Sequence, residues 1–228
     1  MAKTRLAVLI SGRGTNLQAL IDACQKADYP AEIALVISNR PNADGLTRAK
    51  NAGIATRIVD HKPFGNDDNG RLAFEAELDK ALNEAAADYV CLAGFMRLFT
   101  QDFTVKWRGK MINIHPSLLP AFKGVNVHQR MIEAGVKVAG CTVHFVTGEM
   151  DGGPIIGQAA LDVHPKDTAD TLAQRILALE HQLYPNCVEL LVTGKVRIGA
   201  NNRTVLGEEH SPNAHILMPT LVRPGSDS

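Results

Sequence analysis

The chain is predicted to be an α/β protein: a mostly parallel twisted sheet flanked by helices. Three observations predict it. Short β-type apolar runs alternate with longer helical patterns up to about residue 200, the mark of βα units around a parallel sheet. One run, Tyr89 to Ala93, is apolar throughout, as a strand covered on both faces must be. A glycine-bearing turn, Ser11-Gly12-Arg13-Gly14, separates the first apolar run from the first helical pattern.

Leu6 to Ile10 reads as the first strand, and Leu17, Leu20 and Ile21 then fall on one helical face. Ile33 to Ile37 is a second strand, Asp44 to Asn51 a helix stopped at Gly53, and Ile54 to Val59 a third strand. His61 to Gly70, rich in Gly, Asn and Asp, is expected to be a loop, Leu72 to Ala87 a helix and Tyr89 to Ala93 the fourth strand. Met111 to Ile114 is a short strand running into His115-Pro116-Ser117-Leu118-Leu119-Pro120, where two prolines forbid regular structure. Val138 to Val146 and Ile155 to Val163 read as strands joined by 148–154. A helix from about Asp167 to Leu191, N-capped by Asp167 or Thr168, closes the domain. Lys195 to Ile198 is a candidate last strand. Residues 1–203 are expected to form a single domain and 204–228 a tail whose end is mobile.

Composition narrows the function classes. The 228 residues carry 24 Lys and Arg against 24 Asp and Glu, without the electrostatic footprint of a nucleic-acid or anionic-membrane partner. The longest apolar runs fall far short of the ~20 residues that cross a bilayer, and the N-terminus lacks a signal-peptide pattern. Four scattered cysteines without a C-x-x-C pair suggest neither a zinc site nor a disulfide framework and point to a reducing cytoplasm. The scattered histidines show no metal-ligand spacing, so no metal is expected.

Ser11-Gly12-Arg13-Gly14-Thr15-Asn16 lies between a strand and a helix, where a helix N-terminus offers free N–H groups to an anion. It is not a dinucleotide fingerprint, because the third glycine position is Leu17, and it lacks the Lys-Ser/Thr of a P-loop. The readings left are a cradle for one phosphate ester and a turn that is glycine for backbone reasons alone.

In an extended strand Asn113 and His115 point to the same face, at the carboxyl end where open α/β sheets place their sites. Asn113 is a neutral donor, and His115 donates a proton or, charged, stabilises an oxyanion. Asp151-Gly152-Gly153-Pro154 supplies an acid in a loop; beside His115 that carboxylate would favour the charged ring and fix its tautomer. With no G-x-S-x-G motif and Ser117 off any nucleophile elbow, the set suits acyl transfer to a substrate amine through an oxyanion. His144 is either an outer support of the site or a satisfied core histidine. Asn126 and His128 either border the site or begin a helix.

Taken together, Ser11 to Asn16, Leu92-Ala-Gly-Phe-Met-Arg97, Asn113 to Pro120, Phe122-Lys-Gly124, Gly140 to Val146, Asp151 to Pro154, Glu180-His181 and Tyr184-Pro185 resemble the phosphoribosylglycinamide formyltransferase family. The blocks run in family order from Leu6 to about Gly199. The resemblance implies a Rossmann-like formyltransferase fold, its N-terminal half binding the phosphorylated substrate and its C-terminal half the folate. It also implies formyl transfer from the co-substrate 10-formyltetrahydrofolate to the amine of phosphoribosylglycinamide, in purine biosynthesis. Asn113, His115 and Asp151 would be catalytic. Gly12, Arg13, Gly14, Thr15, Asn16 and Glu180 would hold phosphoribosylglycinamide. Arg71, Met96, Arg97, Leu98, Phe99 and Asn113, with Thr147, Gly148, Glu149, Met150 and Asp151, would line the folate site, although Leu98 and Phe99 also read as plain core. The partners expected are these two small molecules, with no nucleic acid or membrane, and a monomer or homodimer as the working unit. Two folate relatives, methionyl-tRNA formyltransferase and formyltetrahydrofolate hydrolase, carry further domains for which this length leaves little room. A non-catalytic α/β binding module leaves the Asn113, His115 and Asp151 set unexplained.

Overall fold

The computed structural model describes residues 2–65 and 67–207. Its strands are β1 (Thr4–Ile10), β2 (Ala31–Ser38), β3 (Thr56–Ile58), β4 (Tyr89–Leu92), β5 (Met111–His115), β6 (Val138–Phe145) and β7 (Ile155–Asp162). They form one sheet in the order β3-β2-β1-β4-β5-β6-β7. The first five are parallel, and β6 and β7 are added antiparallel. The chain winds outward from β1 to β3, then returns to place β4 on the other side of β1. That reversal opens a crevice at the carboxyl ends of β1 and β4, where such sheets bind ligands.

Helices α1 (Thr15–Cys24), α2 (Asp44–Asn51), α5 (Val127–Glu133) and α6 (Ala169–Val192) bury apolar residues in one core; α3 (Asp68–Glu84) and α4 (Gln101–Lys106) contribute to the second. Strand β1 shows why there are two. Leu6, Val8 and Ile10 enter the first core and Ala7 and Leu9 the second, as side chains alternating about a strand must. A run covered on both faces therefore reads as continuously apolar, the pattern that marked β4 in the sequence.

The structure shifts several expected boundaries. Helix α3 begins at Asp68 rather than Leu72, because the Asp67 carboxylate accepts the Gly70 N–H at 2.7 Å and caps it. The segment expected to be a loop from His61 to Gly70 therefore holds a 3-10 turn, Lys62–Phe64, and the first turn of α3. Helix α4 was not expected; its N-cap is Thr100. For α6 the cap is Thr168, in a reciprocal capping box with Thr171. Past Arg203 the chain forms β9 (Thr204–Leu206), antiparallel to β8 (Val196–Ile198), so the expected tail boundary falls inside a hairpin. The expected mobile end lies outside the described residues.

Candidate active site

The glycine loop is built for its backbone. Gly14, at φ 69°, is the N-cap of α1, and a Cβ there would stand 2.7 Å from Gly45 Cα, at the start of α2. Gly12 accepts the Gly45 N–H at 3.0 Å. So the turn needs glycine for its own geometry, but that is not its whole content. Among the described residues no side chain caps α1, its first-turn N–H groups lack intrahelical partners, and a Cβ on Gly12 would meet nothing within 4 Å. Arg13 is exposed, and its carbonyl accepts from Arg48 Nε at 2.9 Å. Thr15 and Asn16 open the helix.

Asn16 joins this loop to α6. Its Nδ2 donates to Glu180 Oε2 at 2.6 Å, while its Oδ1 is buried without a hydrogen-bond partner among the described residues. Glu180 sits on the apolar stripe of Ile176, Leu183, Tyr184 and Cys187 and is 7% exposed. Burial pushes its carboxyl up to about 7, a rise that the Asn16 hydrogen bond opposes. The pair offers a polyol an acceptor amide oxygen and a carboxyl.

At the end of β5, Asn113 stands opposite His144 of β6 and His115 opposite Thr142. His144 Nδ1–H donates to the Phe145 carbonyl at 2.8 Å, which leaves its Nε2 to accept from Asn113 Nδ2 at 3.2 Å. Burial lowers the pKa of His144, so it stays neutral, as that acceptor role needs. It is thus a buried histidine that orients Asn113, which joins the two readings the sequence allowed.

His115 is 5% exposed, deeper than a site histidine on an open edge. Its Nε2–H donates to the Phe122 carbonyl at 3.0 Å, and Nδ1 faces Asp151 Oδ2 at 3.5 Å. The Phe122 carbonyl, rather than Asp151 alone, thus selects the tautomer. With Nε2–H committed, only the imidazolium presents an N–H to the carboxylate. Asp151 Oδ2 also accepts the Gly124 N–H at 2.8 Å, so the 122–124 backbone grips the histidine and the acid together. Asp151 Oδ1 lies 3.9 Å from His144 Nε2. The preceding turn is pinned from below: Thr142 Oγ1 donates to the Ser117 carbonyl at 2.6 Å and accepts the Leu119 N–H at 3.0 Å. Asn126, in the left-handed region at φ 54°, is the N-cap of α5. His128, in its first turn, has a buried Nε2 with no hydrogen-bond partner among the described residues, and burial lowers its pKa; it begins a helix.

The segment after β4 alternates. Phe95 and Phe99 are buried in a ring stack with Phe74 and Phe103, whereas Met96 and Leu98 are 62% and 61% exposed. Phe99 therefore has a core side chain, and only its backbone remains to line a pocket. The Arg97 guanidinium lies over the Phe74 ring, 5.6 Å from its centroid. Glu75, 4% exposed, accepts the Thr100 N–H at 2.6 Å and the Thr100 hydroxyl as well. Sequence reasoning missed Glu75, although an acid on the apolar stripe of Leu78 and Leu82 was a usable signal. Met150 and Val125 add exposed apolar surface. Thr147 is half-buried; Gly148, where an added Cβ would strike Gln101, and Glu149, paired with Lys123 at 2.7 Å, are exposed. Arg71 lies in the first turn of α3, 3.9 Å from Asp68, and no hydrogen bond or ion pair among the described residues joins it to the His115 cluster. The two loops of the crevice touch, Met96 N–H donating to Ser11 Oγ at 2.8 Å.

Comparison with known proteins identifies the family. The family model described as formyl transferase matches residues 4–188. The phosphoribosylglycinamide formyltransferase of Haemophilus influenzae is 44% identical over 197 residues, 86% of this chain and 91% of that protein. The bovine trifunctional purine biosynthetic protein adenosine-3 is 50% identical over 201 residues, 88% of this chain, which spans only 20% of that longer protein. The crystal structure of phosphoribosylglycinamide formyltransferase from Anaplasma phagocytophilum superposes with a TM-score of 0.85 at 43% identity, covering 96% of this chain and all of that one. With its sheet order, crevice and Asn-His-Asp cluster, the chain belongs to the phosphoribosylglycinamide formyltransferase family.

Proposed function

We propose that this chain transfers the formyl group of 10-formyltetrahydrofolate to the amine of phosphoribosylglycinamide, giving the N-formyl product and tetrahydrofolate. The observation that carries it is the placement of an Asn113–His115–Asp151 cluster at the strand ends of a sheet whose crevice joins an anion-ready helix terminus to an apolar-rimmed loop. Residues 12–16 hold the phosphate through N–H groups of α1, and the Asn16–Glu180 pair takes the ribose hydroxyls. Met96 and Leu98, with the 147–151 turn, Met150 and Val125, fit a flat heteroaromatic ring with a polar edge. Arg71 is assigned the folate tail.

The folate supplies the formyl carbon, and the protein positions it against the amine. As the amine nitrogen bonds to that carbon, negative charge gathers on the formyl oxygen. The Asn113 amide and the His115 imidazolium hold it, the oxygen competing with the Phe122 carbonyl for Nε2–H. Asp151, 3.5 Å from His115 Nδ1, orients the ring and takes the proton the amine sheds, directly or through water; that proton then reaches the departing folate nitrogen. Because His115 is buried, the 122–125 segment has to give way for the formyl group to enter. The protein is assigned to the cytoplasm, in keeping with its four free thiols, working as a monomer or homodimer on two small molecules.

Mixing glycinamide ribonucleotide with 10-formyltetrahydrofolate and following folate absorbance tests the proposal, with an unphosphorylated amine as control. Turnover with the phosphorylated amine alone is expected. Equal turnover of both amines overturns the role given to the glycine loop, and no turnover of either overturns the activity.

A further inference from the structure

Beyond the last ladder contact between β1 and β4, where Ala93 N–H meets the Leu9 carbonyl at 2.9 Å, the two loops leave toward opposite faces of the sheet. One side chain still connects them. Ser11 Oγ accepts the Met96 N–H at 2.8 Å and donates to Asn39 Oδ1 at 2.6 Å. Ser11 is 4% exposed and Asn39 1%. An amide oxygen only accepts, so Asn39 draws the hydroxyl proton to itself and leaves an oxygen lone pair facing Met96. The polarity of the chain Met96 to Ser11 to Asn39 is thereby set in one direction. Asn39 is anchored in turn, its carbonyl 2.9 Å from His61 Nδ1.

We propose that Ser11 is a positioning residue for the formyl donor: its hydroxyl sets where the 96–98 backbone and the Met96 and Leu98 side chains stand relative to the glycine loop. The inference rests on the donor binding against that segment. Phe95 and Phe99 bury their rings, but ring stacking tolerates sliding, whereas a buried hydroxyl between one N–H and one amide oxygen admits a single register. Ser11 touches no substrate and acts through Met96. An alanine leaves Asn39 Oδ1 and the Met96 N–H without the partner they have in Ser11, which loosens the hold on the stretch between the two rings.

The test is Ser11→Ala in the full chain, with Ser11→Cys, which replaces the hydroxyl by a larger, weakly hydrogen-bonding thiol, as the second variant should alanine fail to fold. For each, both Michaelis constants, kcat and the amide hydrogen exchange of residues 96–99 without ligand are measured. The KM for the formyl donor is expected to rise about tenfold, the factor equivalent to one buried hydrogen bond, with faster exchange at 96–99. The KM for the phosphorylated amine is expected to change less than about twofold, as for an interaction absent from that subsite. An unchanged donor KM, or an equal rise in both constants, overturns the proposal. Leu98→Ala separates the two levels. If it raises the donor KM and the Ser11 variants do not, Ser11 has no positioning role; if it too leaves the donor KM unchanged, the donor does not bind this segment and the proposal falls with that placement.

Discussion

Asp151 adopts φ 50°, in the left-handed region, which costs a non-glycine residue about 1–2 kcal/mol. The conformation aims one carboxylate oxygen at both His115 and the Gly124 N–H. Asparagine tolerates the same backbone and still accepts from Gly124, so Asp151→Asn isolates the charge. We expect kcat to fall by about 10²–10⁴-fold, the range for a positioned proton acceptor, with little change in melting temperature; wild-type turnover ends the role. Glu180 makes the second prediction at this scale. Its carboxyl is raised from 4.5 to about 7 in the folded protein. The folded state therefore binds more protons than the unfolded state between those values, and stability from this group, complete below pH 4.5, is lost as pH rises through about 7. Glu180→Gln should melt with a shallower pH dependence between about pH 5 and 8 than wild type, and parallel curves in a thermal-melt series would refute it. Asn113 and His115 were legible as a pair because β-strand periodicity alone puts them on one face. His144 was one of two open readings, and the roles of Thr142, Ser11 and Glu75 were not legible, since their work is done across 25 to 85 positions of chain.

At the scale of elements, both readings the sequence left open for the glycine loop remain to be separated, and two substitutions do so. Gly14→Val meets a positive φ and the Gly45 backbone; it is expected to lose about 1–3 kcal/mol of stability along with affinity for the phosphorylated amine. Gly12→Ala meets open space, so it should stay within about 0.5 kcal/mol of wild type while raising the KM for that substrate, because its methyl projects where the anion approaches. Denaturant titration and steady-state kinetics of the pair check this, and an unaltered KM in both variants counts against the cradle. The long periodic elements were legible because their apolar faces repeat often enough to show. Helix α4, with 6 residues, and β9, with 3, are too short for periodicity to rise above composition. They exist because Glu75 holds the cap of α4 and β8 pairs with β9.

For the whole molecule, two cores share one sheet, and the single tryptophan, Trp107, lies buried in the second of them. The longest helix, α6, packs in the first, and its Tyr184 hydroxyl reaches the Leu92 carbonyl of β4 at 2.9 Å. If residues 1–203 are one cooperative unit, urea unfolding followed by tryptophan fluorescence and by far-ultraviolet circular dichroism should coincide; separated midpoints would show that the layers unfold independently. Sequence by itself determined the α/β class and most strands and helices, and it put forward the candidate reacting groups, because these readings depend on periodicity, caps and short motifs. Tertiary structure alone decided the strand order that opens the crevice, the tautomer of His115, the raised carboxyl of Glu180 and the contact between the two loops. Each of those depends on which distant groups share a buried, low-dielectric space, and that is settled only when the sheet closes its two cores.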